Sequence, residues 1–153
     1  MSTRAEADSA LRRIEDVREL LELADLTQIV TYALSAKRVQ NQIETMDDAE
    51  QELQAQTRYD GKHLEARFAL RFHAPNVDYF ADIGGIFETP ETVELADNVV
   101  PEFLSKIGVM AVFPYLREAV SGLGARLGAQ VPVIGLLRLG DITFSAPDGS
   151  DPT

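Results

Sequence analysis

Few residues in this chain have the type and spacing to run a reaction. The two histidines, His63 and His73, stand ten apart, and neither has a second ligand at metal-binding spacing. With no cysteine in the sequence there is no thiolate nucleophile, Cys-based zinc site or disulfide framework. A serine nucleophile needs the sharp strand-to-helix turn written G-x-S-x-G, which does not occur. Gly122-Leu123-Gly124-Ala125-Arg126-Leu127-Gly128 has the glycines of a phosphate loop. They are wrongly spaced, however, and they end a helical pattern rather than follow a strand, so the segment reads as a helix terminus. Carboxylates are abundant, but no spacing rule selects a pair for acid-base work. The expectation is a protein that binds: no catalytic residue, no metal and no cofactor.

Charge narrows what it binds. Lys and Arg number 14 against 25 Asp and Glu, a net charge of -11, which repels nucleic-acid phosphates and anionic bilayers alike. No nucleic acid and no direct membrane contact are therefore expected. A length of 153 residues, 45% hydrophobic, suits one domain burying roughly 70% of its unfolded surface. The first ten residues lack a basic start followed by an apolar core, and no uninterrupted apolar run reaches the ~18 residues of a membrane span. A soluble, cytoplasmic protein is expected.

The elements follow from periodicity. Leu11, Ile14, Val17, Leu20 and Leu21 make one apolar stripe and predict a helix over 9–23, capped by Ser9. From Leu26 the period becomes two: Leu26, Val30, Tyr32, Leu34 and Ala36 share one face, and Ile29 and Thr31 the other. An acidic loop and a second strand carrying Leu53, Ala55, Thr57 and Tyr59 come next. Asp60-Gly61 predicts a type I′ hairpin, with positive φ at both residues. The third strand alternates cleanly, Leu64, Ala66, Phe68, Leu70 and Phe72 against Glu65, Arg67, Ala69 and Arg71, the pattern of an antiparallel strand with one buried side. Ala74-Pro75-Asn76 turns the chain into a fourth strand, Val77 to Phe87.

Beyond Pro90 the period returns to 3.6 over a helical region 92–128, with Pro101 in its first turn and a kink or break expected near Gly108 and Pro114. A short extended run, 131–137, and a polar, disordered tail, 145–153, follow. The fold class is thus α+β: a four-stranded antiparallel sheet over 26–87 with a long helix packed on one face, plus an N-terminal helix, in a single domain of residues 1–144. The helix carries apolar residues over more than half its circumference, too wide for capping one sheet face. Self-association, a groove for apolar polypeptide segments, or full burial of the helix would each cover the excess.

Val112-Phe113-Pro114-Tyr115-Leu116-Arg117-Glu118 resembles the FPYAR helix motif of the SecB export chaperones. Gly84-Gly85-Ile86-Phe87, about two dozen residues upstream at the end of the fourth strand, is similar to that family's GGIF element. The resemblance covers about residues 26–137. It implies an ATP-independent, non-enzymatic holdase that assembles as a dimer of dimers. Unfolded, non-native polypeptides would lie in apolar grooves between the helix, a crossover loop and the sheet edge, and an acidic sheet surface would meet the SecA motor of the translocase. Phe113, Pro114, Tyr115 and Arg117 fall in the helix motif, where Phe113 and Tyr115 would pack the helix onto the sheet. Gly84, Gly85, Ile86 and Phe87 fall at the strand-to-helix exit, where the glycines would permit close approach of backbone. Candidate groove residues are Tyr32, Phe68, Phe72, Tyr79, Phe80, Phe103, Leu104 and Met110.

The N-terminal helix, and the direct passage from Asp141-Ile142-Thr143-Phe144 into a polar tail, are more similar to the SecB-like proteins of actinobacteria. Some of those are encoded beside toxin-antitoxin pairs and hold an aggregation-prone antitoxin tail. The partner is then the motor or an antitoxin. An oligomeric adaptor for one folded partner is the alternative reading. Twelve of the 25 acids lie in two stretches free of Lys and Arg, 39–57 and 72–105, a placement that would keep exposed apolar grooves soluble and favour basic, unfolded clients.

Overall fold

The computed structural model describes residues 11–130, Ile134 and the backbone of 142–144. Ser9, the rest of the extended run 131–137 and the tail 145–153 lie outside the described residues. The elements are β1 (Arg12–Ile14), α1 (Val17–Leu23), β2 (Asp25–Arg38), β3 (Glu50–Tyr59), β4 (His63–Ala74), β5 (Val77–Glu88), β6 (Val93–Leu95), α2 (Val99–Phe103), a π turn (Leu104–Gly108), α3 (Val109–Leu127) and β7 (Ile142–Phe144).

The four long strands form one antiparallel sheet in the order β2-β5-β4-β3, and β7 adds to the far side of β3 in parallel. Two tight connections set the register. At 60–63 the Asp60 carboxylate accepts the N–H groups of Lys62 and His63 at 2.9 and 2.6 Å, and only Gly61 is left-handed, at φ 102°. The turn is therefore not the type I′ expected: Asp60 works through its side chain, not through a positive φ. The charge-assisted bonds from those two amides hold its carboxyl down to about 2. At the other end Pro75-Asn76 turns β4 into β5 with Asn76 at φ 59°, a conformation asparagine tolerates well.

The core lies between the sheet's inner face and the helix. Leu64, Ala66, Phe68, Leu70 and Phe72 of β4 are buried, as are Val77, Tyr79, Ala81, Ile83 and Phe87 of β5; burying each large side chain stabilises by about 2 kcal/mol in transfer free energy. Facing them are Val99, Phe103, Leu104, Val112, Phe113, Leu116 and Val120, and Phe103 meets Phe87 edge to face at 4.9 Å. The helix Val99–Leu127 is long and apolar enough to cross a bilayer by length and composition, but this stripe is spent on the sheet, as in a core helix.

Three expectations need correction. Residues 12–14 are not helical: β1 pairs in parallel with β6, Ile14 accepts the N–H of Ala96 at 2.9 Å, and the short helix starts where the Asp16 carboxylate accepts the N–H of Arg18 at 2.9 Å. Strand pairing lets Ile14 bury completely and gives the backbone partners a lone helical turn would lack. The helical region likewise begins at Val99 because 93–95 are taken by that small sheet. Pro101 does sit in the first turn, and the expected break is the π turn, where the N–H of Val109 reaches back to Leu104. At the far end Gly128, at φ 67°, terminates α3.

The third correction concerns β2. Bulges between Leu26 and Gln28 and between Thr31 and Ala33 shift its alternation twice. Leu26, Ile29, Thr31 and Leu34 therefore look toward the helix, and Tyr32 stands with Val30 and Ala33 on the outer face, not beside Leu34.

Candidate functional site

Of the eight groove candidates, five belong to the core. Phe68, Phe72, Tyr79, Phe103 and Leu104 are at most 5% exposed, because β4 and β5 are central strands whose inner face the helix covers completely. Phe72 and Tyr79 pack against each other at 6.1 Å. Three candidates remain outside. Met110 is 74% exposed on α3, and Tyr32 and half-buried Phe80 lie on the outer face of the sheet.

That outer face is held by charge. Arg67 of β4 grips Asp82 of β5 with two hydrogen bonds of 2.9 and 2.8 Å, a planar fork on a carboxylate. Its guanidinium also lies over the Tyr32 ring at 3.8 Å, and Arg71 covers Phe80 at 4.6 Å. The Tyr32 hydroxyl donates to Glu65. Burial, and next that bond to a carboxylate, push the phenol up to about 12. Around this centre Glu52 stands opposite Arg71 and Arg58 opposite Glu65, and His73 meets Asp78 at 2.8 Å. Acids and bases alternate across the strands, but Asp25, Glu50, Glu52, Glu65, Asp78, Asp82 and Glu88 on this face outnumber Lys37, Arg58, Arg67 and Arg71, so it keeps a net negative charge.

The two glycines of the GGIF element serve opposite faces. A Cβ on Gly84 would meet the Glu65 carboxylate at 2.6 Å and the Tyr32 ring at 3.3 Å, and one on Gly85 would meet Val112 of α3 at 2.9 Å and Leu26 at 3.2 Å. Gly84 thus makes room for the polar cluster outside and Gly85 for the helix inside. Beyond them Ile86 is half-buried and Phe87 is core. In the helix motif Phe113 is buried, with Arg117 5.9 Å from its ring, and Pro114 is exposed. Tyr115 differs from Phe113: it is 43% exposed and lines an open cleft between helix and sheet instead of being buried in the core.

Tyr115 faces a cleft of about 230 Å³ between β2 and α3. Ile29, Thr31 and Leu34 form its sheet side, Tyr115, Ala119, Gly122 and Leu123 its helix side, with Glu118 and Arg126 at the rim. The bulges of β2 bring Leu34, 44% exposed, into line with Ile29 and Thr31. On the helix side Tyr115, Ala119 and Leu123 stand four residues apart along α3, which puts them on one face. Arg38 of β2 also donates to the carbonyl of Leu127 at 2.6 Å, a cation on the last turn of the helix. Periodicity missed this site because an unbroken alternation was carried through β2; Ala119 and Gly122, small residues spaced along the helix, were the available signal.

Among the described residues no three His, Asp or Glu side chains come together as metal ligands. What the cleft offers is apolar surface beside a long strand that, among the described residues, pairs on one side only, which suits polypeptide.

No family model matches the chain. A SecB-like chaperone of Mycolicibacterium smegmatis, SmegB, is 37% identical over 131 residues, covering 86% of this chain and 87% of that protein. Among solved structures, the Mycobacterium tuberculosis SecB-like chaperone Rv1957, in complex with a ChAD peptide from the HigA1 antitoxin, superposes with a TM-score of 0.66 at 16% identity, covering 79% of this chain and 92% of that one. With the identity spread over most of both sequences and the fold shared, the chain belongs to the SecB-like chaperones.

Proposed function

We propose that this protein is an ATP-independent holdase, not an enzyme, which acts in the cytoplasm and keeps non-native polypeptide segments from aggregating. The observation that carries this is the open edge of the sheet: β2 runs 14 residues with Leu26, Tyr32 and Leu34 each more than 40% exposed. An edge that long and apolar has to be covered by a partner chain. A second copy accounts for part of the cover, and the reading is a dimer of dimers. Clients take the remaining apolar surface along the helix, the crossover 39–49 and the sheet edge.

An antitoxin segment is favoured over the translocase motor as the dedicated partner. The M. tuberculosis relative, which shares the fold, holds an antitoxin peptide. The test is suppression of aggregation: a chemically unfolded client diluted into buffer with the protein and no nucleotide. Suppression near one chaperone assembly per client is expected. Unchanged light scattering across several unrelated clients would overturn the reading.

A further inference from the structure

The crossover 39–49 joins β2, at one edge of the sheet, to β3, next to the other. It has only a single 3-10 turn, Met46–Asp48, for regular structure, yet Ile43, Met46 and Ala49 along it are half-buried and the latter two pack on the core. Chain without its own ladder needs something else to fix its path.

One side chain makes the bonds. Asn41 donates its amide N–H to the carbonyl of Ala74 at 2.8 Å. Its amide oxygen accepts the N–H of Asn76 at 3.1 Å and the N–H of Ile43 at 3.1 Å. One planar group thus spans the β4–β5 turn from both sides and begins the turn of the crossover itself, an Asx arrangement with a tertiary partner. The neighbouring N–H of Val39 donates to the carbonyl of Asn76 at 3.0 Å, so the left-handed Asn76 presents both of its backbone groups to the incoming segment. After Asn41 the next side-chain bond is local, Thr45 Oγ1 to Asp48 at 2.9 Å.

We infer that Asn41 is a positioning residue: it fixes the crossover against the β4–β5 turn, and through that path it sets the surface the crossover shows to a client. The inference rests on the holdase reading. Alanine removes three bonds, whereas aspartate keeps both acceptor bonds but sets a carboxylate oxygen against the carbonyl of Ala74 in place of the donor. Asn76→Gly serves as a control, because glycine keeps the backbone N–H and the left-handed conformation.

The experiment combines amide hydrogen exchange with client affinity, using the full chain and a fluorescent reduced, carboxymethylated protein as client. For Asn41→Ala, exchange at residues 42–49 is expected to rise at least tenfold while the strands stay protected. The client Kd is expected to weaken at least tenfold, with far-UV circular dichroism and assembly mass unchanged. Asn41→Asp, with that repulsion in place of the donor bond, should also raise exchange at 42–49, and Asn76→Gly should match wild type. Unchanged exchange in Asn41→Ala would overturn the positioning role. Raised exchange with unchanged client affinity would overturn the link to clients. Wild-type protein that holds no client would overturn the holdase reading together with this link, and that outcome is read on wild type alone.

Discussion

β2 and β4 are both long antiparallel strands, yet one is the centre of the sheet and the other its edge. β4 is paired on both sides without a register shift, and its inner side chains are all buried. Among the described residues β2 is paired on one side only; it shifts phase twice and is exposed for most of its length. A ladder on each side holds a strand in phase and leaves it nothing to offer a partner. A single ladder permits bulges, and bulges put apolar side chains where a partner can reach them. Stability and binding are thereby assigned to different strands of one sheet.

The comparison breaks most visibly at Phe68, the middle of β4. Phe68→Asp buries an unpaired carboxylate where truncation alone costs about 3–5 kcal/mol, a large share of a total stability of about 5–15 kcal/mol. The variant is expected to lack a cooperative thermal transition by circular dichroism, and a native-like melt would show that β4 is not the centre of stability.

Arg67→Ala comes next. It leaves Asp82, 9% exposed, without its cation, and the expected loss is about 3 kcal/mol in urea unfolding. Arg67→Lys should recover only part of it, because an ammonium cannot make both bonds of the fork.

The glycines sharpen the contrast between the two faces. Gly85→Ala pushes on Val112, a short branched side chain fixed in the helix, and should cost about 1–3 kcal/mol. Gly84→Ala pushes on the far end of the Glu65 side chain, which can swing away, and should cost less than Gly85→Ala in the same titration. A larger cost at Gly84 would mean the outer cluster, not helix packing, dominates at this element.

Much of this was legible in the sequence. β4 declared itself through strict alternation, the long helix through its 3.6 period, and the family through two short motifs at the right separation. The failures share a physical cause. Periodicity assumes that a segment's pattern is set by its own geometry, whereas residues 12–14 were claimed by β6 and the phase of β2 by its bulges. Aromatic type marked Phe68, Phe72, Tyr79 and Phe103 as groove candidates, but burial depends on which strand lies at the edge, and strand order is not written in local spacing. The cleft was missed for the same reason, since Leu34 and Tyr115 meet only after the bulges and the helix packing are in place.

A smaller effect reads the bond between the two strands. The Tyr32 phenol, raised to about 12 in the fold against about 10 in an unfolded chain, contributes stability that is fully present below pH 10 and lost as pH rises through 12. Absorbance titration of wild type against Glu65→Gln should show one tyrosine titrating earlier in the variant, because the acceptor carboxylate is gone. An unchanged curve would place Tyr32 outside the cluster.

The smallest expected change in protomer stability is at Leu34, on the open strand. Leu34→Asp adds a charge to a side chain already 44% exposed, so unfolding should move by no more than about 0.5 kcal/mol, against the collapse expected at Phe68. Its effect should appear in association instead. If a second copy covers the β2 edge, a carboxylate at its middle stands near its own image across a two-fold axis, and light scattering should report a smaller assembly than wild type. If the edge holds client, mass stays constant and aggregation suppression weakens. Wild-type behaviour in both measurements would mean that the cleft beside β2 is not a working surface, and the division of labour between the two strands would fail at its functional half.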